Sequence, residues 1–168
     1  YTAPPFRLVY RGLGEIAMAV SVGVLMPGLG YLATGGPVSL DALWPCPPLM
    51  MFGLGFVLAV QIPDMEADRL GGKWTWVARH GRRSGFRLIA LALALGGLWM
   101  LGAPAPAWAL PNANALVRPI GLLALLPLGL SIPALLRRQD DRPTATRAAH
   151  AILIGLVTFC VLADGYLL

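Results

Sequence analysis

The sequence predicts an all-α fold, a polytopic transmembrane helical bundle, and three observations carry that prediction. The 168 residues are 57% hydrophobic and only 12% charged, about half the ~25% charge content of an ordinary globular domain. Mean hydropathy is +0.70. The apolar residues gather in five runs, with the basic residues concentrated between them. So few polar groups cannot cover a water-soluble core of this size, and disorder would need low hydrophobicity and high charge. The 20 Gly and 15 Pro residues fit the same class, since both are more frequent in membrane helices than in soluble ones.

The runs are Glu15–Thr34, Leu43–Val60, Phe86–Ala103, Leu116–Leu136 and Ala148–Leu168. Crossing the hydrocarbon takes about 20 apolar residues, within a range of roughly 17–25, and each run qualifies, the third being short. The fourth contains Pro119, Pro127 and Pro133. Each proline frees a backbone carbonyl that lipid cannot satisfy, so a kinked helix packed against its neighbours is expected. All five runs belong to one membrane domain, residues 1–168, with a cytoplasmic motif loop over residues 61–85.

Orientation follows from the basic residues. Arg7 and Arg11 precede the first run; Arg69, Lys73, Arg79, Arg82, Arg83 and Arg87 follow the second; Arg137, Arg138, Arg142 and Arg147 follow the fourth. Of the 13 basic residues, only Arg118 falls on the other side. By the positive-inside rule the N-terminus is cytoplasmic and the C-terminus outside, in a multi-pass protein of the plasma membrane. Trp44, Trp99 and Trp108 then fall at the outer interface, where amphipathic rings favour the headgroup level. The net charge of +5 is thus a matter of topology, and no nucleic-acid partner is expected. The outer connections, residues 35–42 and 104–115, carry turn residues such as Asn112 and Asn114 and no catalytic grouping. Cys46 and Cys160 have no metal-binding spacing. His150 and Asp164 lie near span ends, where solvation at the interface accounts for them.

The chemistry concentrates at the inner end of the second run, in Gln61-Ile62-Pro63-Asp64-Met65-Glu66-Ala67-Asp68-Arg69-Leu70-Gly71-Gly72-Lys73-Trp74-Thr75. Asp64 and Asp68 are four apart, a spacing that stacks both carboxylates on one helix face. Gln61 joins that stripe and Glu66 points elsewhere. Two like charges one turn apart repel, so a cation between them is the natural complement. Mg²⁺ takes oxygen ligands and is commonly held by one or two carboxylates plus substrate phosphates. Arg69, Lys73 and Thr75 follow at once, and Gly71-Gly72 would let backbone approach a ligand. The other reading is a solvated loop whose charges end a helix and set topology; spacing alone leaves the two level. Arg79, Arg82, Arg83 and Arg87 read as anchors for anionic headgroups.

The longer string weighs on that choice. Gln61-x-x-Asp64-x-Glu66-x-Asp68-x-x-x-Gly72-Lys73-x-Thr75, followed by Val77-Ala78-Arg79-His80-Gly81, resembles the second aspartate-rich motif of the UbiA-type prenyltransferase superfamily. The opening Tyr1-Thr2-Ala3-Pro4-Pro5-Phe6-Arg7-Leu8 and Tyr10-Arg11-Gly12-Leu13-Gly14-Glu15 resembles the cytoplasmic loop before that family's fifth helix. The resemblance implies nine membrane helices around a cavity, of which the five runs match helices five to nine. It also implies two aspartate-rich loops that bind Mg²⁺ and the diphosphate of a polyprenyl donor. An allylic cation is then captured by an aromatic small-molecule acceptor. Carried over by position, Asp64 and Asp68 are the catalytic and metal-holding pair, while Arg69, Lys73 and Gln61 contact diphosphate. Glu15, with Tyr10 and Arg11, becomes a candidate for the cavity mouth.

The chain departs from the family at several points. Gln61 stands where many members have Asn or Asp, and Trp76 and His80 replace leucines; His80 reads as a surface variant. The first aspartate-rich motif is not in this sequence, so the chain is expected to be an incomplete and inactive C-terminal portion. Among acceptors, the dihydroxynaphthoate of menaquinone-type biosynthesis is favoured over hydroxybenzoate or a porphyrinoid. The competing class is a non-enzymatic membrane component, a transporter half or a scaffold. A transporter, however, would place polar groups at mid-membrane. CDP-alcohol phosphotransfer lacks its aspartate-glycine and alanine-arginine pairs upstream of Asp64.

Overall fold

The regular structure is helical throughout the described residues, which in this computed structural model are 2–35, 40–103, 113–136 and 141–167. The side chains of residues 41, 113–116 and 164–167 are not described. Trp108, Asn112, Arg137 and Arg138, and the side chains of Asn114 and Asp164, therefore lie outside the described residues. Five helices are long and apolar enough to cross a membrane, as the five runs predict.

After a short 3-10 turn at Leu8–Arg11, helix α1 runs Gly14–Ala33 with a π turn at Ser21–Leu25. The Ser21 hydroxyl donates to the Ala17 carbonyl at 2.8 Å, a local bond that competes with the regular helix ladder. At the π turn α1 meets the next span so closely that a Cβ on Gly23 would lie 2.6 Å from the Met50 Cα. Only glycine permits that approach.

Helix α2, Cys46–Leu70, has 25 residues and so a length of about 37 Å at ~1.5 Å per residue. It continues ten residues past the expected boundary at Val60, so the motif begins on helix and not on a loop. The charged run is rich in good helix formers, Met, Glu, Ala, Arg and Leu, and polarity alone does not stop a helix. What stops it is Gly72, at φ +67°. The Gly72 N–H donates to the Arg69 carbonyl and the Lys73 N–H to the Asp68 carbonyl at 2.9 Å, the paired bonds of a left-handed glycine terminus. The Gly71-Gly72 pair, noted in the sequence for ligand approach, makes this chain reversal.

The short α3, Trp76–His80, is capped by the Thr75 hydroxyl, which accepts from the Ala78 N–H. Gly81 separates it from α4, Arg82–Gly102. The proline-rich fourth run forms two helices, α5 at Ala113–Leu123 and α6 at Leu125–Leu136. The break has a cause in Pro127, which cannot donate to the carbonyl four residues back, that of Leu123, and whose ring crowds it. The last span, α7, is Arg142–Leu167, with the Asp141 carboxylate accepting the Thr144 N–H at 2.9 Å at its start.

Helix α2 is the hub. It packs on α4 most extensively, on α7 through Phe52 and Phe159 with ring centroids 5.0 Å apart, and on α1. Leu58, Ile62, Phe86, Ile89, Leu93 and Ile152 are fully buried between these helices. Of the most apolar stretch of α2, 56% is buried, against 11% for α1.

Candidate functional site

Three features bring the motif together. The helical spacing puts Gln61, Asp64 and Asp68 on one stripe of α2; the Gly72 reversal turns Lys73 back over that stripe; and the Thr75 cap starts α3 beside it. Gln61, Asp64, Asp68, Lys73 and Thr75, with Thr2, Val9, Val57 and Val60, line a pocket of about 150 Å³. Asp68 is buried at 5% exposure. One of its oxygens accepts Lys73 Nζ at 2.8 Å and the other accepts the Thr75 hydroxyl at 3.3 Å. Asp64 is exposed and makes no hydrogen bond or ion pair among the described residues. The Lys73 ammonium is held above the ordinary lysine range, first by its hydrogen bond to Asp68 and then by that carboxylate's charge, with smaller contributions from Tyr10 and Asp64.

Gln61 is also buried, at 6% exposure. Its Nε2 donates to Glu15 Oε1 at 2.9 Å, and the same Glu15 oxygen accepts the Trp76 N–H at 2.6 Å. Gln61 Oε1 is buried and has no hydrogen-bond partner among the described residues. Glu15, considered from sequence for a place at the cavity mouth, is thus the joint between α1, α2 and the start of α3. Its position at the head of an apolar run marks it as a candidate, but nothing in the sequence identifies a partner 46 residues away.

Two expectations meet a different geometry. Arg69 does not line the pocket, because its Nε donates to the Ala78 carbonyl at 2.7 Å. Arg82, read as a headgroup anchor, is buried. It pairs with both oxygens of Glu66 and donates through Nε to the Ile62 carbonyl at 3.4 Å. A cation sixteen residues from its partner across two helices leaves no local signal. Arg79, Arg83 and Arg87 are exposed, as anchors would be. His80 stacks on Trp76 with ring centroids 4.3 Å apart and is exposed. Glu66 points away from the pocket, as its spacing predicts.

The donor set fits a hard divalent cation. It offers oxygens only: the Asp64 carboxylate, the unpartnered Gln61 Oε1, and Asp68, each of whose oxygens retains a lone pair beyond its one hydrogen bond. No group of three or more His, Cys, Asp or Glu gathers in ligating geometry among the described residues. A pair of carboxylates suits a Mg²⁺-like ion that shares its shell with water and phosphate.

A helical membrane protein with a carboxylate-lysine pocket at one end of its central span is the class these features define. The chain belongs to the UbiA prenyltransferase family, whose family model matches residues 1–160. It is 22% identical to a 1,4-dihydroxy-2-naphthoate octaprenyltransferase of Bacillus subtilis over 61% of this chain and 33% of that protein. It is 23% identical to a 2-carboxy-1,4-naphthoquinone phytyltransferase of Synechocystis sp. over 99% of this chain and 53% of that protein. The chain spans a third to about half of the length of these relatives. No solved structure matches it.

Proposed function

We propose that this chain carries the second aspartate-rich site of an intramembrane prenyltransferase. The reaction moves a prenyl group from a prenyl diphosphate to an aromatic acceptor in quinone biosynthesis. A dihydroxynaphthoate-type acceptor is favoured, and the similarity to one dihydroxynaphthoate and one carboxynaphthoquinone prenyltransferase supports that choice. We align the five spans with helices five to nine of the family's nine. We read the pocket as facing the cytoplasm in a plasma-membrane protein, an orientation that the distribution of basic residues supports.

The observation that carries this reading is the convergence of Gln61, Asp64, Asp68, Lys73 and Thr75 on one pocket at the inner end of α2. Asp64 and Asp68 would hold Mg²⁺, with Gln61 Oε1 beside them. Bound there, the ion supplies charge neutralisation to a departing diphosphate. Lys73, kept protonated by Asp68, is placed to contact diphosphate oxygens, and Thr75 holds Asp68 in place. Arg69 is assigned to fixing the α2–α3 turn through Ala78. In the transfer, the allylic C–O bond breaks and diphosphate leaves with its electron pair; an aromatic carbon of the acceptor then bonds to the allylic cation and restores the ring by releasing its own substituent, as a proton or as CO₂. A separate apolar cavity of about 320 Å³ between α1, α2 and α7, lined by Val22, Phe52, Phe56, Leu156 and Phe159 among others, has the chemistry to accept a prenyl tail.

Calorimetry of the purified chain in nanodiscs, titrated with farnesyl diphosphate with and without Mg²⁺, tests the reading. Mg²⁺-dependent binding is expected, and Asp64→Asn or Asp68→Asn should weaken it by more than about 100-fold, beyond the usual effect of residues that only orient a ligand. Binding that ignores Mg²⁺, or that survives both substitutions, would instead favour a scaffold or transporter component.

A further inference from the structure

Gln61 is 94% buried and lines the pocket, yet only one of its two polar atoms has a partner among the described residues. The orientation of its amide follows from that partner. A carboxylate only accepts hydrogen bonds, so the atom 2.9 Å from Glu15 Oε1 must be the amide nitrogen. The Trp76 N–H donates to the same oxygen and fixes the carboxylate from the other side. Glu15 itself does not line the pocket. With the nitrogen held there, the polar atom that Gln61 has left is Oε1, a buried acceptor. Diphosphate oxygens are also acceptors and gain nothing from it; a cation, or water bound to one, does.

We propose that Glu15 is a positioning residue. By accepting from Gln61 Nε2 and Trp76 N, it locks the Gln61 amide with its oxygen toward the Asp64–Asp68 pocket. Gln61 thereby contributes to holding a divalent cation, not to binding diphosphate. This rests on reading the pocket as a cation–diphosphate site. The device is a familiar one in metal proteins, where an outer residue sets the direction of a ligand and its loss costs about 10–100-fold in metal affinity. Here it has a further effect: one carboxylate on α1 makes the ligand on α2 and the start of α3 mutually dependent.

Mn²⁺, visible by electron paramagnetic resonance, is the probe, titrated into the purified chain in nanodiscs with and without inorganic pyrophosphate. Glu15→Leu should weaken Mn²⁺ binding by about tenfold. Glu15→Gln keeps an oxygen for both donors and should stay within about threefold of wild type, on the same scale. In a Gln61→Leu background, Glu15→Leu should cost nothing more, because Glu15 acts through that amide. Exchanging the pair, Glu15→Gln with Gln61→Glu, preserves their hydrogen bond and total charge and puts a carboxylate in the pocket; Mn²⁺ should then bind more tightly than in wild type. Wild-type affinity in Glu15→Leu, an equal loss in the Gln61→Leu background, or no gain in the exchange would each overturn the positioning role. Should Glu15→Leu not fold, the exchange decides alone. If wild type takes up no Mn²⁺ under either condition, the cation site falls, and the role of Glu15 falls with it; uptake that is indifferent to Glu15 sinks this inference and leaves the site standing.

Discussion

Glu66 and Asp68 are two residues apart on α2, and the fold answers the two carboxylates in different ways. Asp68 is met locally: a glycine reversal five residues long brings Lys73 back to it, and the Thr75 cap supplies a second donor. Its lysine partner remains 39% exposed and faces the pocket. Glu66 is met from afar, by buried Arg82 on α4 and, at 4.0 Å, by Arg142 at the start of α7. That second cluster joins three spans and keeps the Arg82 guanidinium buried. Neighbouring acidic residues on one helix thus divide between a site and a tie. The side of the helix on which each emerges decides which it becomes.

The largest effect expected from separating these roles is on stability. Glu66→Ala leaves Arg82 buried without its carboxylate, a class of change worth about 3–5 kcal/mol when fully buried. Because Glu66 is 43% exposed, about 2–3 kcal/mol is expected after discounting for solvent screening. Thermal unfolding in detergent should show that loss, with Mn²⁺ affinity unchanged. Impaired metal binding would mean that the tie and the site are one system. Replacing both partners, Glu66→Met with Arg82→Met, should recover most of the stability, since a matched apolar pair is often neutral.

Thr75→Val cuts into the site in a milder way. It removes the α3 cap and one of the two donors to Asp68, and should cost about 1–2 kcal/mol together with a measurable drop in Mg²⁺-dependent farnesyl diphosphate binding. A stability loss with unaltered binding would reduce Thr75 to a helix cap.

The smallest effect concerns pH. Lys73 binds its proton more tightly in the folded chain than the ordinary value of 10.5 allows. The stability it contributes is therefore complete below that value and is lost as pH rises through the raised one. Between pH 6 and 9 the pair should contribute a flat term. Lys73→Met should remove an alkaline loss of stability and leave the neutral range unchanged in shape. A slope near neutrality that disappears with Lys73→Met would contradict the assignment.

Much of this arrangement is legible from the residues, and the limits have physical causes. Five spans follow from apolar runs of the right length, and the Asp64–Asp68 stripe follows from the helical repeat. The break at Ala124 follows from three prolines, although only the structure identifies Pro127 as its cause. The extent of α2 is less legible, because a charged stretch resembles a loop until its helix-forming residues and its glycine stop are weighed. The partners of Glu15 and Arg82 could be found only in three dimensions. Each owes its role to a partner on another span, and no periodicity along the chain encodes that distance.

The glycine reversal has one more consequence. Surface connections usually absorb inserted or deleted residues without harm, but the stretch between Asp68 and Thr75 behaves as a ruler. Adding or removing one residue before Gly72 rotates the helix stop by about 100° around α2, carrying Lys73 off the carboxylate and Thr75 away from both. In a library of length variants, this short connection should therefore tolerate many changes of residue type at Leu70 or Trp74 and almost none in length.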